Sequence, residues 1–259
     1  MKISILQLDV KACDLEQNYI NVKNMIQEAV KKNTDVICLP ELWNTGFLPK
    51  NSLDDYCDND GRLIKNMFQI LAKESNVNIV AGSIANKREN KTYNTSFIFD
   101  RKGNCIEEYD KIHLFSYANE HKYFEKGNKI VTFDLDNVKC GIIICYDLRF
   151  LEIIRKQSLD GIKILFVVAQ WPSARIEHWE ILNRARAIEN QIYVVSANGC
   201  GVCENVQYGG NSMIINPSGK VLAKGDKKQA IITYDIDLDE INKIRNKINI
   251  YADRREELY

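Results

Sequence analysis

Cys145 is the residue of this 259-residue chain that is best placed to act as a nucleophile. It ends the apolar run Val138–Cys145, and the polar residues that follow predict a turn toward a helix. A thiol at the carboxyl end of a strand lies where α/β sheets commonly place active sites. The N–H of Tyr146 would then be free to donate to an oxyanion. A buried core thiol is the alternative, because free cysteine is among the most buried residue types.

Two further residues with useful chemistry also follow predicted strands. Glu41 comes after the strand predicted at Asp35–Leu39, and Lys111 comes after the strand predicted at Cys105–Tyr109. A carboxylate in such a position can take the proton of a thiol, and an ammonium group can stabilise an oxyanion. The alternatives are a loop glutamate in water and a solvated surface lysine, which are the usual states of these residue types.

The elements that must position these residues follow from the spacing of apolar side chains. The predicted helices run from Asp14 or Asn18 to about Lys32, and over Gly61–Glu74, Leu151–Leu159, Glu177–Asn190 and Leu238–Asn246. The predicted strands are Lys2–Leu8, Asp35–Leu39, Asn78–Ser83, Thr92–Asp100, Cys105–Tyr109, Lys129–Asp134, Val138–Cys145, Ile162–Ala169, Ile192–Ala197, Ser212–Asn216, Lys220–Ala223 and Ala230–Asp235. This order, with hairpins in each half, predicts one layered α/β domain with two stacked sheets.

The composition indicates a globular protein with no bulk attraction for nucleic acid. Apolar residues make up 45% of the chain, and 35 basic residues balance 35 acidic ones, so no net field attracts nucleic acid or an anionic membrane. The apolar runs are too short to span a bilayer, and the N-terminus lacks a signal-peptide pattern, so we expect a cytoplasmic protein. The eight cysteines are expected to be reduced thiols, because their spread does not resemble a disulfide framework.

The segments around Glu41, Lys111 and Cys145 together resemble the nitrilase superfamily, the carbon–nitrogen hydrolases. The segments that carry the likeness are Pro40-Glu41, Lys111–Phe115 (Lys-Ile-His-Leu-Phe), Cys145–Phe150 (Cys-Tyr-Asp-Leu-Arg-Phe), Gly209–Ser212, the turn Asn216–Gly219 and the tail Arg254–Tyr259. The resemblance covers nearly the whole chain. It implies one carbon–nitrogen hydrolase domain over residues 1–259, folded as a four-layer α-β-β-α sandwich of two mixed sheets.

The resemblance also implies an amidase mechanism. Cys145 would attack the amide carbon to form a thioester, while Glu41 would serve as the general base. Lys111 and the backbone N–H of Tyr146 would stabilise the oxyanion, and Glu120 would position the water that releases the acid. No metal or organic cofactor is needed for this chemistry.

A second likeness concerns the substrate. The stretch Ala169–Arg175 and the residues 178–191 are similar to the ω-amidase branch, whose members hydrolyse the terminal amide of α-keto acids such as 2-oxoglutaramate. A carboxylate-bearing substrate needs a cationic anchor, and Arg175 is the leading candidate because arginine clamps carboxylates in a bidentate manner. The expected pocket walls are Tyr117, Gln170 and Trp171.

Two other arginines are expected to be structural. Arg149 lies close to the nucleophile and is predicted to pair with a buried carboxylate such as Asp147. Arg186 and Glu189 lie at i,i+3 on one helix and are predicted to form a structural pair.

Alternatives remain at this point. Other amidases of the superfamily act on carbamoylated amines or deaminated glutathione, and nitrilases cleave nitriles with the same residues. A non-catalytic small-molecule-binding protein could share the fold. A Cys–His mechanism would use His113 or His121 as the base, although His113 fits a supporting hydrogen bond better.

Two further features have weaker expectations. Cys200 and Cys203 form a Cys-x-x-Cys motif that fits a flexible loop better than a metal or redox site. Family members are usually dimers or larger, so a homodimer is expected, with the tail residues Arg254 and Arg255 as candidates for its interface.

Overall fold

A computed structural model of the protein describes residues 1–48 and 53–258, so Tyr259 of the expected tail motif lies outside the described residues. In this part of the chain, the helices are α1 (Leu15–Val30), α2 (Arg62–Ser75), α3 (Leu151–Leu159), α4 (Ile176–Asn190) and α5 (Asp239–Lys247). The strands are β1 (Lys2–Gln7), β2 (Val36–Cys38), β3 (Asp58–Asn59), β4 (Asn78–Val80), β5 (Ile84–Arg88), β6 (Lys91–Phe99), β7 (Cys105–Asp110), β8 (Thr132–Leu135), β9 (Val138–Ile144), β10 (Ile164–Ala169), β11 (Tyr193–Asn198), β12 (Val202–Cys203), β13 (Val206–Gln207), β14 (Met213–Ile215), β15 (Val221–Lys224) and β16 (Ala230–Asp235).

The strands form two large mixed sheets and a small hairpin. The first sheet has the order β16-β1-β2-β4-β6-β5-β3, and β7 pairs with β6 outside this path. The second sheet has the order β15-β14-β11-β10-β9-β8. In each sheet three central strands run parallel, namely β1, β2 and β4 in the first and β9, β10 and β11 in the second. Glu41, Lys111 and Cys145 follow the ends of β2, β7 and β9, respectively.

The alternation of side chains along the first sheet explains the layers. Ile3 and Ile5 of β1 pack in the same core cluster as the strands of the second sheet. Leu6 and Leu8, which point the other way, join a second cluster with apolar residues of α1 and α2. Residues of α3 and α4 pack on the second sheet. The predicted four-layer α-β-β-α sandwich is confirmed.

Most expected helices and strands lie close to their predicted positions, but several regions differ. The strand expected at Lys129–Asp134 begins only at Thr132, and the two-residue strand β3 was not predicted. The strand expected at Asn78–Ser83 already ends at Val80, because Gly82 has a φ of +63° that breaks the extended conformation. A separate strand, β5, follows and was not predicted, since Asn86-Lys87-Arg88 shows no apolar alternation. The Cys200–Cys203 segment, expected as a flexible loop, leads into the β12–β13 hairpin.

The close approach of two connecting loops positions Glu41. The Ser83 N–H donates to the Pro40 carbonyl at 3.2 Å, and the Leu42 N–H donates to the Ser83 hydroxyl at 3.0 Å. A Cβ atom on Gly82 would collide with the same Pro40 carbonyl oxygen. Glycine at position 82 therefore allows the backbone beside Glu41 to pack against the end of β4.

We expect Gly82→Ala to lower the free energy of unfolding by about 2–4 kcal/mol, because a side chain meets both backbone strain and a fixed carbonyl. Gly161→Ala is the matched control, since Gly161 also has a positive φ of +94° but no atom within 4 Å of an added Cβ. Urea denaturation of both variants measures the difference. Equal losses in the two variants would show that the contact with Pro40 does not matter.

Candidate active site

Cys145 begins a 3₁₀-helix that runs directly from the end of β9 to Arg149. Its φ of +47° is unusual for a residue with a side chain and marks a strained turn between strand and helix. The residue is only 8% exposed, yet it lines a largely apolar cavity. Burial and the nearby Glu41 raise the pKa of its thiol well above the ordinary value, and Lys111 opposes them. The resting thiol therefore needs a base.

Lys111 lies between two carboxylates behind Cys145. Its Nζ donates to Glu41 Oε1 at 2.8 Å and to Glu120 Oε1 at 2.9 Å, and all three side chains are fully buried. Burial alone would lower the pKa of the ammonium, but the charges of Glu120 and Glu41 raise it. Lys111 is thus a permanent positive charge next to the nucleophile. An ammonium group held in this way can stabilise a developing oxyanion.

The two carboxylates are held by backbone groups as well as by Lys111. Glu41 Oε2 accepts from the Gln170 N–H at 2.9 Å, and Glu120 Oε2 accepts from the Phe115 N–H at 2.6 Å. Burial raises the pKa of Glu120; Lys111 opposes this and Glu41 adds to it. Two carboxylates so close cannot both be charged at low cost, and this arrangement suits proton transfer.

Asn94 is a member of this cluster that the sequence did not point to. Its Nδ2 donates to Glu41 Oε1 at 2.9 Å and to Glu120 Oε1 at 3.3 Å. It lies in β6 within a run of three fully buried polar residues, Asn94, Thr95 and Ser96. Consecutive buried polar residues in a strand are unusual, and that pattern was the available signal.

Asp147 ties the Lys111 segment to the Cys145 turn. Its Oδ2 accepts from the Tyr109 hydroxyl at 2.7 Å and from the Ile144 N–H at 3.1 Å. Its Oδ1 lies 2.8 Å from both the backbone N and the Nδ1 of His113. This geometry agrees with the predicted supporting role of His113, because its ring contacts Asp147. The carboxylate beside Cys145 belongs to Glu41. His121, the other histidine considered as a base, is exposed.

The predicted pair of Arg149 and Asp147 is wrong, because Tyr109, His113 and Ile144 occupy the carboxylate of Asp147. Arg149 instead lies with its Cζ 5.0 Å from the centre of the Trp171 ring, and its Nη2 is 3.3 Å from the Nδ1 of His178. It therefore faces the cavity.

The pair of Arg186 and Glu189 is present, with Nη1 and Oε1 2.9 Å apart. Arg186 also donates through Nε and Nη2 to the Leu148 carbonyl at 3.1 and 2.9 Å. The prediction of a structural role is consistent with these bonds, because they hold α4 against the 3₁₀-helix that follows Cys145.

The cavity in front of Cys145 has a volume of about 500 Å³. The residues expected as pocket walls and anchor all line it, together with the expected oxyanion donor: Tyr117, Tyr146, Gln170, Trp171 and Arg175. The Cζ of Arg175 lies 5.4 Å from the ring centre of Phe115 and 5.9 Å from that of Tyr117. Within residues 1–48 and 53–258, no carboxylate forms a salt bridge with Arg149 or Arg175.

Tyr208 and Cys203 are among the residues of the cavity wall that the sequence did not indicate. Tyr208 is buried, and burial together with Cys203, Glu41 and Cys145 raises the pKa of its phenol. Cys203, of the Cys-x-x-Cys motif, also lines the cavity and is a free thiol, as is Cys200. Across the part of the chain that the structure describes, no group of three histidine, cysteine or acidic side chains could hold a metal ion.

Known proteins match this chain in sequence and in fold. A sequence model of the family described as carbon-nitrogen hydrolase matches residues 2–246. The chain belongs to the carbon–nitrogen hydrolase family. The predicted membership is confirmed, and with it the prediction of a hydrolase that acts on carbon–nitrogen bonds.

Individual members of the carbon–nitrogen hydrolase family match over nearly their whole length. A 2-oxoglutaramate amidase of Bacillus subtilis is 41% identical, and the match covers 99% of this chain and 98% of that protein. A human omega-amidase is 30% identical, and the match covers 100% of this chain and 96% of that protein. A Xanthomonas campestris protein of this superfamily has a crystal structure with an arsenic adduct in its active site. Its fold matches this chain with a TM-score of 0.91 at 27% identity, and the match covers 98% of this chain and 97% of that protein.

We expect Glu41→Gln to shift the alkylation of Cys145 by iodoacetamide to lower pH by about one to three units, because it removes a charge that raises the thiol pKa. Lys111→Met should shift it to higher pH, because the ammonium group lowers that pKa. Mass spectrometry of the Cys145 peptide over a pH series measures both shifts. If the two variants moved in the same direction, this electrostatic description of the cluster would be incorrect.

Proposed function

We propose that the protein is an amidase that hydrolyses the terminal amide of a small 2-oxo acid such as 2-oxoglutaramate. The observation that carries the proposal is that one cavity contains both Cys145 and Arg175, a guanidinium with no carboxylate partner in the described chain. The first residue can attack an amide and the second can bind a carboxylate at the other end of the same molecule. The activities of the Bacillus and human relatives support this substrate class.

The first half of the reaction forms a thioester. Glu41 takes the proton of the Cys145 thiol as the sulfur attacks the amide carbon. The negative oxygen of the tetrahedral intermediate is stabilised by Lys111 and by the N–H of Tyr146, which has no acceptor within the first turn of its 3₁₀-helix. Glu41 then returns the proton to the leaving nitrogen, and ammonia departs.

The second half of the reaction releases the acid. Water attacks the thioester carbon, and Glu41 accepts its proton. Glu120 orients this water. Lys111, which contacts both carboxylates, stabilises the negative charge that develops on the oxygen of the tetrahedral intermediate. The thiol leaves as sulfur is reprotonated by Glu41, and the site returns to its starting state.

Arg175 is held in a manner that suits a fixed anchor. The Trp171 indole N–H donates to the Arg175 carbonyl at 2.8 Å, and the rings of Phe115 and Tyr117 flank its guanidinium. Cation–π contacts restrict a guanidinium without neutralising it, so its N–H donors remain available for a substrate carboxylate. Gln170 and Trp171 form the neighbouring wall.

The structure has no helix within residues 1–48 and 53–258 that is long and apolar enough to cross a membrane. The cytoplasmic location, the homodimer and the independence from cofactors stay predictions.

We expect Arg175→Gln to lower kcat/KM for 2-oxoglutaramate about 100-fold, because two charge-assisted hydrogen bonds to the carboxylate are lost. A neutral primary amide of similar length should be affected less than about threefold, since it offers no carboxylate. Ammonia release measures both rates. Arg184→Gln is the matched control, because Arg184 is also on this segment of the chain but does not line the cavity.

Cys145→Ala should abolish turnover of every amide. If wild type hydrolysed a neutral amide, a nitrile or a carbamoylated amine better than 2-oxoglutaramate, the proposed substrate class would be wrong. If wild type hydrolysed none of these compounds, the protein would be better described as a binding protein.

A further inference from the structure

Asn94 is the one uncharged side chain that contacts both Glu41 and Glu120 among the described residues. Its Nδ2 reaches Glu41 Oε1 at 2.9 Å and Glu120 Oε1 at 3.3 Å. Lys111 Nζ reaches the same two oxygen atoms at 2.8 and 2.9 Å. The four side chains therefore form a closed ring in which donors and carboxylates alternate, with the amide on one side and the ammonium group on the other.

The orientation of the amide is determined by its surroundings. A reversed side chain would direct Oδ1 at two carboxylate oxygens, which cannot donate a hydrogen bond when charged. In the observed orientation Oδ1 is buried and has no hydrogen-bond partner in the described structure. The observed orientation is therefore the one in which Nδ2 donates to both carboxylates.

Asn94 also positions Lys111 through the backbone. The Lys111 N–H donates to the Asn94 carbonyl at 2.9 Å, just beyond the point where β6 and β7 pair. One residue thus fixes the start of the lysine side chain and the oxygens to which that side chain binds. Because it is neutral, it adds donors without adding a second positive charge.

We propose that Asn94 is a positioning residue for catalysis, which orders Glu41 and Glu120 around Lys111 and so holds the Glu41 carboxylate beside Cys145. This inference rests on the roles proposed above for Glu41, Lys111 and Cys145. A single ammonium group between two carboxylates leaves one negative charge in excess. The amide stabilises that charge by hydrogen bonding, and keeps Glu41 available as a base.

The ionisable groups that face this ring come from several elements. Lys111 follows β7, Glu120 lies in a short 3₁₀-helix, and Cys145 follows β9. Glu41 follows β2. Tyr208 lies in the loop after β13, and Glu41 and Cys145 both contribute to the raised pKa of its phenol. A hydrogen bond to a carboxylate favours its charged form, so loss of the Asn94 donors should raise further the pKa of Glu120, which burial already raises.

The test is the pH profile of amide hydrolysis in Asn94→Ala and Asn94→Asp. For Asn94→Ala we expect kcat to fall about 10- to 100-fold with little change in KM, because a catalytic group is misplaced while the substrate anchor is intact. The acid limb of kcat/KM should move up by about one pH unit. Asn94→Asp should be less active than Asn94→Ala at neutral pH, because it places a third carboxylate against the other two.

This order separates positioning from packing. Aspartate fills the space of asparagine, so a residue that only fills space would lose more activity as alanine than as aspartate. That reversed order, or an unchanged acid limb in Asn94→Ala, would overturn the inference. If Asn94→Asp does not fold, the acid limb of Asn94→Ala decides alone.

Asn190→Ala is the matched control. Asn190 is also fully buried, donates through Nδ2 to the Arg186 carbonyl at 2.9 Å and has an unsatisfied Oδ1, but it lies at the end of α4. Its loss should cost stability and leave the pH profile unchanged. An Asn190→Ala profile shifted as much as that of Asn94→Ala would overturn the inference.

A substrate-independent measurement distinguishes this inference from the proposed function. Infrared titration follows the band of a protonated carboxyl group in the pair, which Glu120→Gln identifies by its loss. We expect this band to appear at higher pH in Asn94→Ala than in wild type. If wild type hydrolyses no amide, the proposed function fails, but the pH midpoint of this infrared band still decides the role of Asn94. A midpoint that is the same in Asn94→Ala and wild type overturns the inference.

Discussion

The contact on which the site depends is the fully buried ion cluster of Lys111 with Glu41 and Glu120. Moving one ammonium group and two carboxylates out of water costs several kcal/mol per ion, and mutual attraction repays this only when the remaining hydrogen bonds are also made. Here the Gln170 and Phe115 amides and Asn94 complete the set of donors to the carboxylates. A cluster of this kind would be a poor way to stabilise a fold, and its position behind the thiol of Cys145 accounts for it better.

The sandwich makes this cluster possible because it brings the ends of strands from both sheets to one place. Glu41 follows β2 and Lys111 follows β7 in the first sheet, whereas Cys145 follows β9 in the second. Gln170, directly after β10, joins the sheets by donating its N–H to Glu41. Apolar packing between the sheets therefore determines how far the Glu41 carboxylate lies from the Cys145 thiol. Asp147 connects the turn that carries Cys145 to the segment that carries Lys111.

The sequence was informative where chemistry depends on strand ends and uninformative where it depends on contacts between sheets. Cys145 and Glu41 lie at the ends of apolar runs, Lys111 follows a predicted strand, and the three segments carry family motifs, so their proximity could be predicted. Asn94 could not, because an asparagine inside a strand acquires its meaning only from partners 53 and 26 residues away in sequence. The Arg149 prediction failed for a similar reason. Asp147 has several nearer donors, and nothing in the spacing showed that Tyr109 and His113 would reach it first.

Trapping the thioester intermediate tests the role of Cys145 as the nucleophile. Wild type mixed with 2-oxoglutaramate and quenched in acid within the first turnovers should carry an acyl group, equal to the substrate minus ammonia, on the peptide that contains Cys145. Mass spectrometry of the digested protein locates the adduct among the eight cysteines. We expect the adduct on Cys145, and we expect both the adduct and turnover to be lost in Cys145→Ala. Hydrolysis that proceeds in Cys145→Ala, or an adduct on another cysteine, would contradict it.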